Sequence, residues 1–201
     1  TGLGTHGLAD AIACLNLAYD SPEALEIIDQ IYETLRNAAY EESVYLAQER
    51  GAFPAFDWSV EENNAFIQRL PENIKQLLAK HGRRNISILT NAPTGSVSIM
   101  SQTSSGLEPV FRNSYIRRRK LSHDEQHLEA DHVDDLGDRW VEYTVHHHNV
   151  AEYLATTNST EIPAFFVESD SIDWEQRVSI QAAIQKSIDH SISSTINLPK
   201  G

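Results

Sequence analysis

The chain of 201 residues is 40% hydrophobic and 22% charged, a composition typical of a soluble globular protein with one sizeable core or two small ones. Its net charge of −13 argues against a broad nucleic-acid surface, because neutralising phosphates requires clustered Lys and Arg. No apolar run approaches membrane-spanning length, and the single cysteine, Cys14, excludes a disulfide framework and a multi-cysteine metal site. We expect a reducing, cytoplasmic setting, with neither nucleic acid nor a membrane as a partner.

The first stretch, TGLGTHGLADAI, allows a nucleotide site or a packing motif. Gly2, Gly4 and Gly7 fit the spacing G-x-G-x-x-G of a dinucleotide-binding turn, in which N–H groups at a helix start receive a pyrophosphate. That motif requires a buried strand directly before it, and the sequence supplies none ahead of Gly2. We therefore expect the three glycines to be close-packing positions at the entry of a helix over 7–17, with Cys14 buried on its apolar side.

A long helix is predicted to follow. Residues 21–23, Ser-Pro-Glu, supply an N-cap, a proline at the first helical position and an acid near the positive end of the helix dipole. Apolar residues then recur at three- and four-residue spacing. The helix should run to about Arg50 and end at Gly51.

Two shorter helices and a strand are predicted next. Ser59 and Glu62 have the spacing of a capping box for a third helix. Pro71 separates it from a fourth helix, which should end at Gly82. The β-branched composition of residues 86–90, ISILT, then predicts a strand.

The second half of the chain continues this alternation. The acidic, His-rich stretch 122–160 is predicted to be helical in two pieces around Gly137, and Asp173 should cap a last helix. The other predicted strands cover residues 114–121, 164–169 and 194–199. The order of elements predicts a helix-rich α/β fold with largely parallel strands.

Two charged clusters have a structural and a functional interpretation. The basic run RRRK over 117–120 fits a solvated strand end, or else a local contact to a phosphate or a partner surface. His123 and His127 lie one helical turn apart, and residues 146–148 are all histidine. The zinc motif H-E-x-x-H requires Glu where Asp124 stands, and no third ligand is fixed by spacing, so we expect exposed histidines and no metal.

The stretch over 91–111, NAPTGSVSIMSQTSSGLEPVF, is the most unusual of the sequence. Thr94, Gly95, Ser96 and Ser98 place small hydroxyls and a flexible backbone directly after a predicted strand. A strand-to-helix turn of this composition can hold a phosphate through inward N–H groups and hydroxyl donors. It lacks the lysine of a Walker loop, and on composition alone a phosphate loop and a Ser/Gly-rich surface turn both stay open.

Four stretches resemble ribonucleotide reductases, in particular the adenosylcobalamin-dependent class. APTGSVSIMSQTSSGLEPVF resembles the family's A-P-T-G-[ST]-[IV]-S segment with the T-S-S-G-[IL]-E-P that follows it. IQKSIDHSISSTINLP is similar to its Q-x-x-x-D-x-S-I-S-x-T-I-N-L-P strand approach. GLGTHGLADAI and LAQERGAFPAF have counterparts in the same order, so the resemblance covers nearly the whole chain.

This resemblance implies part of a ten-stranded α/β barrel, with residues 1–201 as a C-terminal part of the catalytic barrel domain. The family's finger-loop motif N-x-C-x-E, which carries the radical cysteine, does not occur in this sequence, and neither does its reducing cysteine pair. The resemblance therefore implies no catalytic residue in this segment. Since the sequence begins in a Gly-rich turn and ends after a strand-like run, we expect a segment of a longer protein.

The resemblance also implies site residues, a cofactor and partners. Glu108 would be structural, and Ser193, Thr195 and Asn197 would shape the barrel interior. The substrate would be a ribonucleoside di- or triphosphate, reduced to a 2′-deoxyribonucleotide by thiyl-radical chemistry. Adenosylcobalamin would be the cofactor, and the rest of the barrel and an external thiol reductant would be partners. The residues implied to bind substrate phosphate are Pro93, Thr94, Gly95, Ser96, Val97 and Ser98.

Two other functions stay open at this point. The chain could be a non-catalytic nucleotide-binding module derived from the same fold. It could also belong to an α/β phosphate-binding enzyme of another reaction type.

Overall fold

The computed structural model describes residues 1–125 and 127–195, which form a helix-rich α/β arrangement. The helices are α1 (Leu8–Cys14), α2 (Pro22–Arg50), α3 (Trp58–Glu61), α4 (Glu72–His81), α5 (Gly95–Ser101), α6 (His148–Thr157) and α7 (Trp174–Gln185). The strands are β1 (Ser114–Lys120), β2 (His132–Val133) and β3 (Arg139–His146), and short 3-10 turns cover Ile67–Arg69 and His123–Glu125. Within the described ranges, every helix is too short or too polar to span a membrane.

The boundaries of α2 follow from its capping residues. The Ser21 hydroxyl accepts a hydrogen bond from the Ala24 N–H at 3.1 Å, and Pro22 occupies the first helical position. The helix ends at Arg50, and the Gly51 N–H still donates to the helix by bonding the Ala47 carbonyl at 2.8 Å. The predicted start and end of this helix are confirmed.

The next two helices confirm one prediction and correct another. Helix α4 lies between Pro71 and Gly82, as predicted. The cap of α3 is Asp57, whose Oδ1 accepts the N–H of Ser59 at 2.9 Å and its hydroxyl at 2.7 Å. Ser59 therefore donates to the cap instead of forming one with Glu62, and the predicted capping box is wrong.

The hydrophobic core is built around α2, against which α4 and α7 pack, and it includes the apolar side chains of α1. Ile12 of α1, Leu78 of α4 and Ile184 of α7 are at most 1% exposed. Burial of this apolar surface is the main favourable term in the folding of the helical layer. The side chains that α2 contributes to the core are Ala24, Ile28, Tyr32, Tyr40, Val44 and Ala47.

Three extended segments run in parallel beside this helical layer. Leu3 pairs with Leu89, and Asn91 pairs with Ile192, through parallel bridges. Backbone hydrogen bonds of 2.8 to 3.2 Å join the three segments, and residues 88–91 lie in the middle. The strand predicted at 86–90 is thus an extended segment with one parallel bridge, at Leu89, and not a regular strand, whereas most of the predicted strand 194–199 lies outside the described residues.

The carboxylate of Asp189 fixes the start of this central segment. Its Oδ1 accepts the N–H of Leu89 at 2.8 Å, and its Oδ2 accepts the N–H of Ile88 at 3.0 Å and the hydroxyl of Tyr40 at 2.7 Å. Tyr40 is 1% exposed, and burial raises the pKa of its hydroxyl far above the usual value, so the hydroxyl remains a proton donor. One side chain thus joins the central segment, α2 and the residues after α7.

The stretch 122–160, predicted to be helical in two pieces around Gly137, is helical over α6 (His148–Thr157), whereas β2 and β3 replace the rest of the predicted helix. β1 pairs with β3 in antiparallel register, with Ser114 opposite His146, and β2 pairs with the other edge of β3. The β-branched and aromatic residues of WVEYTV favour a strand, and this preference outweighs the acidic composition around Gly137. The described residues therefore show α/β content, with an antiparallel three-stranded sheet, but not a ten-stranded barrel.

The apolar run over 164–169 is not a strand, contrary to the prediction. It forms turns in which the rings of Phe165 and Phe166 lie 5.5 and 5.6 Å from the ring of Tyr153 on α6. Aromatic packing against a helix shields these half-buried side chains without strand pairing.

Cys14 is exposed, so the prediction that it is a buried residue is wrong. It is the last residue of α1, and it lies off the face that this helix buries. The buried face consists of Leu8, Ala9, Asp10, Ile12 and Ala13.

The glycines of the first stretch are close-packing positions. A Cβ atom on Gly4 would collide with the Thr90 carbonyl oxygen, and one on Gly2 would lie 2.7 Å from the Thr90 side chain. The chain's first residues approach the central segment this closely because neither glycine has a side chain. This arrangement agrees with the packing interpretation and not with a dinucleotide-binding turn.

Replacing Asp189 by Asn should lower the free energy of unfolding of the full-length protein by about 2 kcal/mol, because an amide loses one acceptor and the charge that strengthens the other hydrogen bonds. Urea unfolding followed by circular dichroism measures this change. Asp29→Asn is the control, since among the described residues Asp29 is paired with Lys186 alone, at the surface and at 3.7 Å. Its effect should stay below about 0.5 kcal/mol. Equal effects of both substitutions would contradict the role given to Asp189.

Candidate functional site

The predicted phosphate loop directly follows the C-terminal end of the central parallel segment. Residues 92–94 lead from Asn91 into α5, and Thr94 adopts the left-handed conformation with φ 55° and ψ 25°. Few β-branched residues adopt this conformation, and such strain concentrates at functional sites. The Thr94 hydroxyl accepts the N–H of Gly106 at 2.8 Å, which holds the residue in place.

The first N–H groups of α5 are available to a ligand. Its hydrogen bonds begin with the Ser98 N–H, which donates to the Thr94 carbonyl at 2.9 Å. The N–H groups of Gly95, Ser96 and Val97 precede that bond and have no acceptor within the helix. All three residues are exposed. The helix start therefore presents three backbone donors and the Ser96 hydroxyl to solvent.

The Ser98 hydroxyl has a different environment. Ser98 is 3% exposed, its hydroxyl donates to the Gly95 carbonyl at 2.9 Å, and it shares a hydrogen bond of 2.7 Å with the Ser105 hydroxyl. These contacts tie α5 to the turn over 103–106. Among the six residues predicted to bind phosphate, Thr94 and Ser98 thus use their hydroxyls for internal contacts, and Pro93 is an exposed residue before the helix.

A groove of about 850 Å³ lies on the side of α5 that faces the sheet. Its walls are α5 with the turn that follows it, residues 108–112, and the histidines 146–148 at the junction of β3 and α6. Hydroxyls, imidazoles and the Arg112 guanidinium therefore face the same space as Phe111 and Tyr115. This mixture of polar and aromatic groups is typical of clefts that bind small polar molecules.

His147, which lines this groove, forms a largely buried pair with Asp10. The Asp10 Oδ1 lies 2.9 Å from the His147 Nε2, and the Asp10 Oδ2 accepts the Ser104 N–H at 2.6 Å. Burial by itself raises the pKa of the Asp10 carboxyl, but the hydrogen bonds from His147 and Ser104 outweigh it and lower the pKa below the usual value. Asp10 is therefore a carboxylate at neutral pH.

The pair was missed by sequence reasoning, which predicted exposed histidines at 146–148. The His147 side chain is 13% exposed, whereas the His148 side chain is 49% exposed. Only the tertiary fold brings His147 to Asp10, which lies 137 residues earlier in the chain. The available signal was Asp10 itself, a carboxylate in the otherwise apolar helix LADAIA.

The basic run on β1 is engaged in surface ion pairs. Arg118 pairs with Glu142 at 2.6 Å, Arg119 with Glu125 at 2.6 Å, and Lys120 with Asp138 at 2.5 Å. Exposed pairs of this kind contribute little to stability, and they leave less positive charge for a phosphate. The arrangement favours the solvated-strand interpretation of this run.

Comparison with known proteins identifies the family. Residues 1–201 match the family described as "Ribonucleotide reductase, barrel domain". The chain is 30% identical to the "Vitamin B12-dependent ribonucleoside-diphosphate reductase" of Mycobacterium tuberculosis, over 98% of the chain and 27% of that protein. It is 31% identical to the protein of the same name from Thermoplasma acidophilum, over 98% of the chain and 24% of that protein.

A yeast relative gives the same result. The "Ribonucleoside-diphosphate reductase large chain 2" of Saccharomyces cerevisiae is 30% identical over 98% of the chain and 24% of its own length. The chain belongs to the ribonucleotide reductase barrel-domain family, as the resemblance predicted. It spans about a quarter of the length of these relatives.

Replacing Gly106 by Ala should lower the free energy of unfolding of the full-length protein by about 2 kcal/mol. Gly106 has φ 52°, and a Cβ atom there would lie 3.3 Å from the Ala92 carbonyl oxygen and 3.5 Å from that of Pro93, so both strain and crowding oppose it. Chemical denaturation measures the change. Gly137→Ala is the matched control, because Gly137 has φ 82° but no atom within 4 Å of its added Cβ among the described residues. An equal loss of unfolding free energy in both variants would show that crowding against the Ala92 and Pro93 carbonyl oxygens adds nothing to the strain of the left-handed conformation.

Proposed function

We propose that this chain is the part of a ribonucleotide reductase that binds the phosphates of the ribonucleotide substrate. In this proposal residues 1–201 are a C-terminal part of a ten-stranded catalytic barrel domain. The complete enzyme replaces the ribose 2′-hydroxyl by hydrogen through thiyl-radical chemistry. The family membership supports this activity, and the relatives from M. tuberculosis and T. acidophilum are named as ribonucleoside-diphosphate reductases.

The available N–H groups at the start of α5 are the observation that supports a phosphate site. Gly95, Ser96 and Val97 present donors in one exposed turn, at the C-terminal end of a parallel segment. Ligands of α/β proteins bind at this end of parallel strands, and successive backbone N–H groups favour anions. We assign these three residues and the Ser96 hydroxyl to direct phosphate contact. Pro93, Thr94 and Ser98 complete the loop, and the last two act through their internal hydrogen bonds.

The chain's contribution to the reaction is to hold and orient the substrate. Phosphate binding far from the reacting carbon supplies binding energy that places the ribose against the radical residue. The sequence contains no N-x-C-x-E motif, and Cys14 lies on α1, outside the groove lining. We therefore assign no catalytic residue to this chain.

Adenosylcobalamin is the radical source that we propose for the complete enzyme, on the names of the relatives from M. tuberculosis and T. acidophilum. The cofactor supplies the radical when it is bound. The described groove is lined by apolar residues, hydroxyls, imidazoles, the Arg112 side chain and the Glu108 carboxylate, and no cysteine is among the residues that line it. We therefore assign no residue of this chain to the cofactor. The external thiol reductant and the rest of the barrel are the further partners in this proposal.

Gly95→Val in the full-length protein should raise the KM for the ribonucleotide at least about tenfold, because a branched side chain blocks the approach of phosphate to the backbone. A Cβ on Gly95 meets no atom within 4 Å among the described residues, so the fold should tolerate it. Steady-state kinetics with varied substrate measure the change. Ala155→Val on the exposed face of α6 introduces the same branch away from the loop and should leave KM unchanged. An unchanged KM in Gly95→Val would refute the loop assignment.

Reduction of ribonucleotides by the full-length protein should require added adenosylcobalamin under anaerobic conditions. The measurement is the rate of deoxyribonucleotide formation with and without the cofactor, with hydroxocobalamin as the control for non-specific corrinoid effects. Full activity with a diiron subunit and no cobalamin would overturn the proposed cofactor. Nucleotide binding without any reduction would favour the non-catalytic module.

A further inference from the structure

The turn over 103–106 is hydrogen-bonded to α5 and to Thr94, the residue that precedes it. The Gly106 N–H donates to the Thr94 hydroxyl at 2.8 Å, and the Ser105 and Ser98 hydroxyls share a hydrogen bond of 2.7 Å. The Thr103 N–H donates to the Ser98 carbonyl at 3.0 Å. The position of the available N–H groups of α5 therefore depends on where this turn lies.

Both polar groups of the Ser104 backbone fasten this turn to α1. The Ser104 N–H donates to the Asp10 Oδ2 at 2.6 Å, and the Ser104 carbonyl accepts the Gly7 N–H at 2.9 Å. Ser104 is 1% exposed and Asp10 is 8% exposed, so little water competes for these bonds. A charge-assisted bond in a buried place is stronger than one between neutral groups in solvent.

His147 holds the Asp10 carboxylate from the other side. Its Nε2 lies 2.9 Å from Oδ1, and since a carboxylate has no proton to give, Nε2 carries the proton of this hydrogen bond. The backbone fixes His147 itself, because its N–H donates to the Asn113 carbonyl at 2.8 Å and its carbonyl accepts the Ala151 N–H at 2.9 Å. The imidazole thus fixes the Asp10 carboxylate relative to the β3–α6 junction.

We infer that His147 and Asp10 are a positioning pair that sets the affinity of α5 for the substrate phosphates. His147 orients the carboxylate, the carboxylate holds Ser104, and the turn beyond Ser104 holds Thr94 and Ser98. Neither side chain belongs to the donors assigned to phosphate, so the pair acts through the loop. This inference rests on the phosphate-binding function proposed for that loop.

Loss of the His147 donor would remove the stronger of the two side-chain hydrogen bonds to the buried Asp10 carboxylate and leave it with the weaker one from Asn149. The carboxylate would then turn toward water or another donor, because an unpaired buried charge is costly. The Ser104 hydrogen bond would weaken with that movement, and the N–H groups of α5 would lose their fixed spacing. Phosphate binding is impaired in this sequence of events, while the radical chemistry, which takes place elsewhere, is not.

The test compares His147→Gln with His147→Asn in the full-length protein. The Gln amide nitrogen reaches the place of Nε2 and can donate to Asp10, whereas the Asn amide, one methylene shorter, cannot. His147→Asn should raise the KM for the ribonucleotide about tenfold with kcat within about twofold, and His147→Gln should stay close to the parent. The dissociation constant for inorganic pyrophosphate, measured by calorimetry, should change in parallel without any radical chemistry.

His132→Asn is the matched control, since His132 is an exposed residue of β2 that pairs with Trp140, near the opposite end of β3 from His147. It should leave KM and pyrophosphate affinity unchanged. Equal behaviour of His147→Asn and His147→Gln, or a loss confined to kcat, would overturn the positioning role. If Gly95→Val weakens pyrophosphate binding while His147→Asn does not, this inference alone fails. If Gly95→Val also binds pyrophosphate as tightly as the parent protein, the assignment of the phosphate loop fails as well.

Discussion

The hydrogen bonds of the Asp189 carboxylate are the constraint on which the rest of the structure depends. Oδ1 accepts the Leu89 N–H, and Oδ2 accepts the Ile88 N–H and the buried Tyr40 hydroxyl. These bonds link the central parallel segment to the long helix α2 and to the residues after α7. Because the carboxylate satisfies two neighbouring backbone donors that have no strand partner there, the segment keeps its direction with few ladder hydrogen bonds. The chain can therefore place a loop at the end of this segment with defined geometry.

The candidate site is held at two ends. Asp189 holds the segment that leads into it, and the Ser104 turn, fastened to Asp10, holds the helix that leaves it. Between them Thr94 adopts a left-handed conformation that its hydrogen bond to the Gly106 N–H stabilises. Side-chain carboxylates and hydroxyls thus fix the loop through internal hydrogen bonds, and the backbone N–H groups at the start of α5 stay available for an anion. This division explains why only part of the PTGSVS stretch faces solvent.

Local signals predicted the helical half of the chain well. The caps of α2 and the limits of α4 follow from Ser21, Pro22, Pro71 and Gly82, whose preferences depend on the backbone itself. Prediction failed where several local preferences compete. Residues 139–146 pair as a strand in spite of acidic surroundings, and the run at 164–169 packs its half-buried aromatic rings from turns against α6. Cys14 is exposed because it lies at the end of the short helix α1 and off the buried face, whereas the prediction placed it on that face.

The sequence by itself determined the family, the long helix with its ends, and the place of the candidate phosphate loop after a strand. These features depend on residues close together in the chain, where spacing and backbone preference leave a readable pattern. The tertiary structure decided which loop hydroxyls stay free, that His147 is paired, and that Asp189 holds the central segment. The contacts of His147 and Asp189 join residues 100 or more positions apart, Asp10 with His147 and Leu89 with Asp189. No local pattern records such pairs, because burial and distance arise only when the helices pack.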